Sequence, residues 1–282
     1  MKNNIILIGS SGFVGRNVKK FFLKKKIKCI YLSTKNFNLS KIKKKFFKEI
    51  FIKNSVIIYA AGKHRKFGDT IKLKNYNIKI FKNLLDNLKN SLPKKIIFLS
   101  TVEVYGKKKK SQINESSKLN PLNLYAKGKL IQERELKKFS KKNKINYNIL
   151  RLPGFYGKDD KNSIISKLYS HLQNEEKIYF KTDGSELRDY IYINDLVKII
   201  YLFIKNYQRN YNGIFNIVQG KSYKLKQYLF ILKKNLNSKK DLVFGKEKGF
   251  DLKFNNQKLR SVIKKNSFKF LSHKVSISKE YK

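Results

Sequence analysis

Three residues could together move a proton to and from an oxygen atom: Thr101, Tyr125 and Lys129. Tyr125 and Lys129 are four apart in Tyr-Ala-Lys-Gly-Lys, so on a helix they share one face. A cation beside a phenol favours the phenolate. That pairing is expected to lower the Tyr125 pKa toward the working pH, as general base catalysis requires. Thr101 lies 24 residues earlier, and its hydroxyl would hydrogen-bond the same substrate oxygen. In a chain with 17 tyrosines and 66 basic residues the Tyr-x-x-x-Lys spacing alone carries little weight. Its order and distance from the other features carry more.

The next feature is a glycine triplet. Ile5 to Ile8 reads as a short buried strand, and Gly9, Gly12 and Gly15 follow at a spacing of three. Val18, Phe21 and Phe22 then recur at helical spacing. Strand, glycine turn and helix together suit a pyrophosphate. Gly9 turns the chain, Gly12 lets backbone amides reach the anion, Gly15 packs helix on strand, and the helix N-terminus faces the charge.

The elements that must position these residues alternate. Further strands are predicted at Lys28–Leu32, Val56–Tyr59, Ile96–Leu99 and Tyr147–Leu152, with helices that include Ile71–Leu88 and Leu124–Phe139. This alternation predicts a doubly wound parallel α/β sheet, with ligands beyond the carboxyl ends of its strands. The polar motifs fall at those ends. Residues 1–154 are expected to form the dinucleotide-binding domain. Residues 155–282 are expected to form a smaller α/β substrate domain, with some segments returning to the first. At the end of the second strand, Ser33-Thr34-Lys35 offers no acid for a ribose 2′-hydroxyl and so leans toward NADP over NAD.

Gly-Phe-Val-Gly at 12–15 resembles the extended branch of the short-chain dehydrogenase/reductases. With Thr101, Tyr125 and Lys129 in order, the resemblance is to the NAD(P)-dependent epimerase/dehydratase family acting on nucleotide sugars, and it covers nearly the whole chain. It implies a cofactor site of Gly9, Ser11, Gly12, Phe13, Val14 and Gly15 in the turn, and of Ser33 and Lys35. Asn38-Leu39 is similar to an Asp-Leu pair that contacts adenine, with Asn in place of Asp. Ala60-Ala61-Gly62 looks like the small-residue strand end passing under the cofactor. Asn77, 28 residues before Tyr105, matches an Asn that helps hold the active-site helix and its water. Ser100, Pro153, Tyr125 and Lys129 complete the cofactor set, Lys129 through the nicotinamide ribose.

The same resemblance places Thr101 and Gly154 on substrate and gives Arg188, in Arg188-Asp189-Tyr190, to the diphosphate, a role that suits a forked guanidinium. A second basic contact is not placed by it; Lys246 and Lys248 are the candidates. In the dehydratases the strand-end segment reads Thr-Asp-Glu or Thr-Ser-Glu. Here it reads Thr101-Val102-Glu103: Glu103 fits the base, but Val102 cannot be the acid. An epimerase or ketosugar reductase, with hydride exchange at a sugar carbon such as C4, therefore ranks above a 4,6-dehydratase. A cofactor-binding protein without turnover is a further alternative, against which the intact Thr101, Tyr125 and Lys129 speak. The family's helices matching Ile71–Leu88 and Leu124–Phe139 form a dimer bundle, so a homodimer is expected.

The formal net charge is +47, and all but seven of the 66 basic residues are lysine. These are spread along the whole chain beside abundant Asn, Ile, Phe and Tyr, a bias that AT-rich codons would give. Diffuse charge of this kind predicts no specific nucleic-acid partner, though it would attract an anionic substrate. Cys29 is the single cysteine, so no intramolecular disulfide can form and a cytoplasmic location fits. The apolar run after Met1 stops at Gly9, too short for a signal peptide, and no membrane segment or partner membrane is predicted. His64, His171 and His273 lack metal-ligand spacing, so no metal is expected. His64 is expected at the surface, Lys107–Lys110 in a solvated loop, and Asp159, Asp160 and Lys161 in a polar turn.

Overall fold

A computed structural model describes residues 4–42, 44–51, 53–107, 112–158, 160, 162–174, 177–205 and 211–281. Lys108 to Lys110, Asp159 and Lys161 lie outside the described residues. The elements in chain order are β1 (Ile5–Ile8), α1 (Phe13–Lys24), β2 (Cys29–Leu32), α2 (Lys44–Ile50), β3 (Val56–Tyr59), α3 (Ile71–Leu88), β4 (Lys95–Thr101), α4 (Leu124–Asn143), β5 (Asn146–Leu152) and β6 (Phe155–Tyr156). There follow α5 (Ile164–Gln173), β7 (Ile178–Thr182), β8 (Leu187–Arg188), β9 (Ile191–Tyr192), α6 (Ile193–Lys205), β10 (Gly213–Asn216), β11 (Tyr223–Lys224), α7 (Leu225–Asn235), β12 (Leu242–Glu247), α8 (Gln257–Lys264) and α9 (His273–Glu280).

The chain divides into two compact units. The first comprises residues 1–106, 119–151 and 199–215; the second comprises 107–118, 152–198 and 216–282. The chain thus crosses between them several times. In the first unit, six strands form one sheet in the order β10-β5-β4-β3-β1-β2, and β1 to β4 pair in parallel. The registers Ile5↔Val56 and Val56↔Lys95 bring the carboxyl ends of β1, β3 and β4 to one edge. This is the doubly wound sheet expected from the alternation of elements, with β4 and β5 each somewhat longer than predicted.

Burial accounts for the strands. Every residue of β1, β3 and β4 is buried, as in sheets covered on both faces. Helix α3 buries Asn77, Ile80, Phe81, Leu84, Leu85 and Leu88, one stripe at helical spacing. Its start is fixed by the Thr70 hydroxyl, which accepts from the Leu73 amide at 3.2 Å. Helix α4 starts at Asn123, whose side chain accepts from the Ala126 amide at 2.7 Å, and it runs past the expected Phe139 to Asn143. Lys144 ends it in a left-handed conformation.

The second unit is made of short strand pairs and helices. β6 pairs with β9 and β7 with β12 in parallel, and β8 pairs with β11 antiparallel. His273 is buried, its two ring nitrogens 3.0 Å from the Tyr156 hydroxyl and 3.1 Å from the Tyr228 hydroxyl. The Tyr228 hydroxyl in turn donates to the Arg188 carbonyl at 3.1 Å, tying α9 and α7 to β8. Among the described residues no helix is long and apolar enough to cross a membrane, and no group of three metal-ligating side chains occurs.

Candidate active site

The glycine turn is built by close approach. Gly9 has φ +90°, and a Cβ there would lie 2.6–2.8 Å from the Ala60 and Ala61 backbone. A Cβ at Gly15 would meet the Gly9 carbonyl oxygen at 2.1 Å, so Gly15 lets α1 close on the turn. Gly12 differs: a Cβ there would meet only the Gly9 oxygen, at 3.5 Å, an ordinary contact. The chain's own packing does not demand glycine at 12, and the missing side chain leaves the start of α1 open to an approaching group. That cradle fits a dinucleotide pyrophosphate.

The loop after β2 carries no acid. Asn36 accepts from the Ser33 amide at 2.7 Å and donates to the Tyr31 carbonyl at 3.0 Å, closing a turn without an acid beside Lys35. The Asn38 side chain accepts from the Ser40 amide at 2.9 Å, and Leu39 is buried in the core. Cys29 lies in β2, where burial pushes its thiol up to about 12.

Thr101 is the last residue of β4, and its hydroxyl accepts from the Glu103 amide at 3.2 Å. Tyr125 stands on the first turn of α4 and Lys129 one turn on. The buried Lys129 ammonium donates to the Leu99 carbonyl at 2.8 Å and lies 4.8 Å from the Phe98 ring centroid. It is 6.0 Å from the Tyr125 ring centroid. The lowering of the Tyr125 pKa expected from Lys129 is therefore corrected: Tyr125 sits above the ordinary phenol range. Burial is the main cause, the Glu103 carboxylate adds to it, and Arg65 opposes it. Burial also pushes Lys129 down to about 8, against the pull of Glu133. In this state Tyr125 holds its proton at neutral pH.

A buried network fixes β4 and α4 together. The Ser100 hydroxyl donates to Glu133 at 2.5 Å, so Ser100 faces inward. Arg151 of β5 grips both Glu133 oxygens, at 3.1 and 2.7 Å, and donates to the Tyr105 hydroxyl at 2.8 Å. Glu133 was not singled out in the sequence, although its place one turn beyond Lys129 on the same face was a usable signal.

The start of α4 is held by distant residues as well. Asp69 accepts from the Leu124 amide at 3.0 Å and the Tyr125 amide at 2.9 Å. Its partners lie 55 and 56 residues away, so no local pattern marked it. From the same loop the exposed His64 ring packs edge-on against Tyr125, centroids 5.0 Å apart. Asn77 is buried, accepting from the Lys63 amide and donating to the Lys63 carbonyl, each at 2.8 Å, and Gln132 of α4 donates to the Asn77 carbonyl. Asn77 thus ties the loop after β3 to both helices. Glu103 accepts from the Asn123 side chain at 2.6 Å and lies 3.6 Å from Arg65.

Pro153, Gly154 and Arg188 belong to the second unit. A Cβ at Gly154 would strike the Tyr190 ring at 2.3–2.4 Å. Arg188 donates to the Leu187 and Phe250 carbonyls at 2.9 and 2.6 Å and lies 5.1 Å from the Phe250 ring centroid. Asp189, next in sequence, is buried and accepts from the Gln219 and Gly220 amides at 3.0 and 2.8 Å. Burial nonetheless pushes it up to about 7, against these amides and that of Lys221.

A glycine-cradled helix start beside a Thr at one strand end and a Tyr-x-x-x-Lys helix defines a dinucleotide-dependent enzyme class. Residues 5–218 match the model of the NAD dependent epimerase/dehydratase family, and the chain belongs to that family. It is similar to an ADP-L-glycero-D-manno-heptose-6-epimerase of Brachyspira hyodysenteriae, 30% identical over 248 residues, 77% of this chain and 76% of that one. It is also 30% identical over 240 residues to a dTDP-D-glucose 4,6-dehydratase of Dictyostelium discoideum. That match takes in 71% of this chain and only 55% of the dehydratase. In fold it resembles a UDP-N-acetylglucosamine 4-epimerase of Methanobrevibacter ruminantium M1, with TM-score 0.84, 22% identity and 100% and 98% of the two chains covered.

Proposed function

We propose that this chain is a nucleotide-sugar epimerase or ketosugar reductase that exchanges hydride at a sugar carbon such as C4. The observation that carries the reading is the union of Thr101, at the end of β4, with the α4 face bearing Tyr125 and Lys129 through the buried Ser100–Glu133–Arg151 network. Tyr125 exchanges the proton of the reacting sugar oxygen, and Thr101 hydrogen-bonds that oxygen. A nicotinamide cofactor, when bound, takes up or returns the hydride at the same carbon. Lys129 keeps a positive charge beneath the site and holds the nicotinamide ribose. Gly9, Ser11, Gly12, Phe13, Val14 and Gly15 hold the pyrophosphate, with Ala60, Ala61 and Gly62 beneath it and Pro153 beside it. Ser33 and Lys35, with no acid near them, favour NADP over NAD, and Asn38 and Leu39 take the adenine. Arg188 takes the substrate diphosphate, and Gly154 lies against the sugar. The active form is a homodimer.

The epimerase or reductase reading stands above the 4,6-dehydratase for a reason of geometry. A dehydratase needs a free base and an acid beside Thr101. Glu103 is engaged by Asn123 and Arg65, and Val102 is apolar and buried. The dehydratase relative keeps that second reading in view. The test is incubation with NAD(H) or NADP(H) and a panel of nucleotide sugars. An epimer, or cofactor oxidation with a ketosugar, supports the proposal. A 4-keto-6-deoxy product selects the dehydratase, and no product with any of them defeats both.

A further inference from the structure

Of the three histidines, His64 and His171 are exposed and His273 is buried. The proposed reaction makes no use of His273. Its ring is the middle of a row of polar groups: Ser276, Tyr156, His273, Tyr228 and the Arg188 carbonyl. The successive separations are 2.6, 3.0, 3.1 and 3.1 Å. Ser276, Tyr156, His273 and Tyr228 are all buried, so each polar atom in the row depends on its partner.

The row has a direction, and its last member sets it. The Arg188 carbonyl can only accept, so the Tyr228 proton goes to it. The Tyr190 amide can only donate, and it takes one lone pair of the Tyr228 oxygen at 3.3 Å. The His273 Nε2 must then donate to the other lone pair. Burial pushes His273 down to about 4, so at neutral pH the ring carries a single proton, and Nε2 holds it. Nδ1 is left as an acceptor, and the Tyr156 hydroxyl donates to it. The Ser276 hydroxyl donates to Tyr156, since the Ser272 carbonyl, 2.9 Å away, already accepts from the Ser276 amide. Every proton in the row thus points from α9 toward β8, and hydrogen bonds in series with one sense strengthen one another.

The row ends on the backbone that carries the proposed substrate contacts. Tyr228 holds the carbonyl of Arg188 and the amide of Tyr190, the groups that flank Asp189. The Asp189 carboxylate is itself fixed by the Gln219 and Gly220 amides. The Tyr190 ring fills the space beside Gly154 and meets the Tyr228 ring edge-on, centroids 5.0 Å apart. Helix α9 is anchored in turn. The Leu271 amide just before it donates to Asp195 at 2.9 Å, and Glu280 in its last turn accepts from the Tyr192 hydroxyl of β9 at 2.6 Å. Apolar packing alone would hold this core without fixing the orientation of particular peptide groups, whereas a hydrogen bond is directional. We infer that His273 is a positioning residue for the substrate-binding segment Arg188–Tyr190, acting through Tyr228 as the donor that fixes its backbone. This rests on the reading of Arg188 given above.

The test is titration calorimetry on the full chain with UDP and dTDP as probes and the cofactor site saturated with NADP⁺, at a temperature where circular dichroism shows the variants folded. Tyr228→Phe keeps its ring and loses only the hydroxyl; His273→Phe keeps a ring and loses both nitrogens. Each should weaken the better nucleotide at least about five-fold, the worth of one hydrogen bond, with NADP⁺ affinity, titrated separately, unchanged. His273→Gln returns a donor near the Nε2 position and should restore most of the affinity. His273→Asn reaches only the Nδ1 position and should not. Tyr281→Phe removes another buried hydroxyl of the same unit, bonded to Ser166 at 2.8 Å, and should leave binding unchanged. The ¹⁵N spectrum of the wild type should show the His273 proton on Nε2 at neutral pH; a proton on Nδ1 would take away the donor and overturn the inference. If Arg188→Ala is weakened while Tyr228→Phe and His273→Phe bind like the wild type, the positioning role is wrong and the Arg188 reading stands. If Tyr281→Phe loses as much as Tyr228→Phe, the effect is one of general stability and the role is again wrong. If the wild type binds neither nucleotide, or Arg188→Ala has no effect, the role fails together with the reading beneath it.

Discussion

At the scale of single residues, the proposed chemistry turns on the proton of Tyr125. Burial and Glu103 hold it on the phenol, and Lys129 is turned to the Leu99 carbonyl rather than to that oxygen. On the proposed reading such a phenol gives a proton to a ketone more readily than it takes one from an alcohol. Tyr125→Phe keeps the ring against His64 and removes the proton carrier. The kcat should fall by about 10²–10⁴, the usual contribution of an acid–base group, with cofactor affinity nearly unchanged. A silent Tyr125→Phe on a confirmed substrate would mark Tyr125 as a packing residue. Lys129 adds a pH dependence. With its pKa pushed down to about 8, it is charged below that pH and neutral above it. Ketone reduction, measured as kcat/KM, should therefore fall as the pH rises through about 8. A profile flat from pH 7 to pH 9 would contradict the need for its charge. These two side chains were legible in the sequence because they are one turn apart. Asp69 and Arg65 were not, since the chain must fold before they reach α4 and Glu103.

Element boundaries follow the same logic. Helix α3 was legible to the residue, because a capping Thr70 precedes a clean apolar stripe. The end of α4 was not, because its last turn is lysine and asparagine and ends only where Lys144 turns left-handed. Strand β4 shows a feature that periodicity hides. It begins with a buried lysine, Lys95, whose ammonium reaches one acceptor, the Phe203 carbonyl at 3.4 Å. Burial pushes its pKa down to about 8. A lysine whose folded pKa lies below its unfolded value costs stability. The cost is full below the folded pKa and fades as the pH climbs toward the unfolded one near 10.5. Lys95→Met removes the charge at similar length. It should stabilise the protein by as much as about 3 kcal/mol at pH 7, from the size of that shift, and by much less above pH 10. Urea unfolding at the two pH values measures the difference. A gain equal at both would locate the effect in packing rather than in charge.

For the whole molecule the governing quantity is the formal net charge of +47. Its consequence falls on the helices expected to pair two copies. The exposed stripe of α3 is Lys72, Asn75, Lys79, Lys82 and Asp86, and α4 adds exposed Lys127, Arg134 and Lys138. A shallow depression of about 380 Å³ on α3 is lined by Asn75, Ile78, Lys79, Lys82, Asn83 and Asp86. Apolar contact available to a partner there is small, and lysines on two such faces would repel. The Debye length is about 30 Å at 0.01 M salt and about 3 Å at 1 M, so repulsion across the face is strong in the first medium and nearly gone in the second. A homodimer through α3 and α4 should therefore form in proportion to ionic strength. Light scattering at micromolar concentration should give a monomer mass at the low salt and move toward twice that mass at the high one. Lys79→Glu with Lys82→Glu removes two positive charges from that face, at the loss of the 3.9 Å Lys82–Glu135 pair, and should bring the dimer in at lower salt. A dimer mass that is the same at every salt would put the interface on another face. A monomer mass at every salt, in both wild type and variant, would mean that the family's bundle does not assemble in this chain.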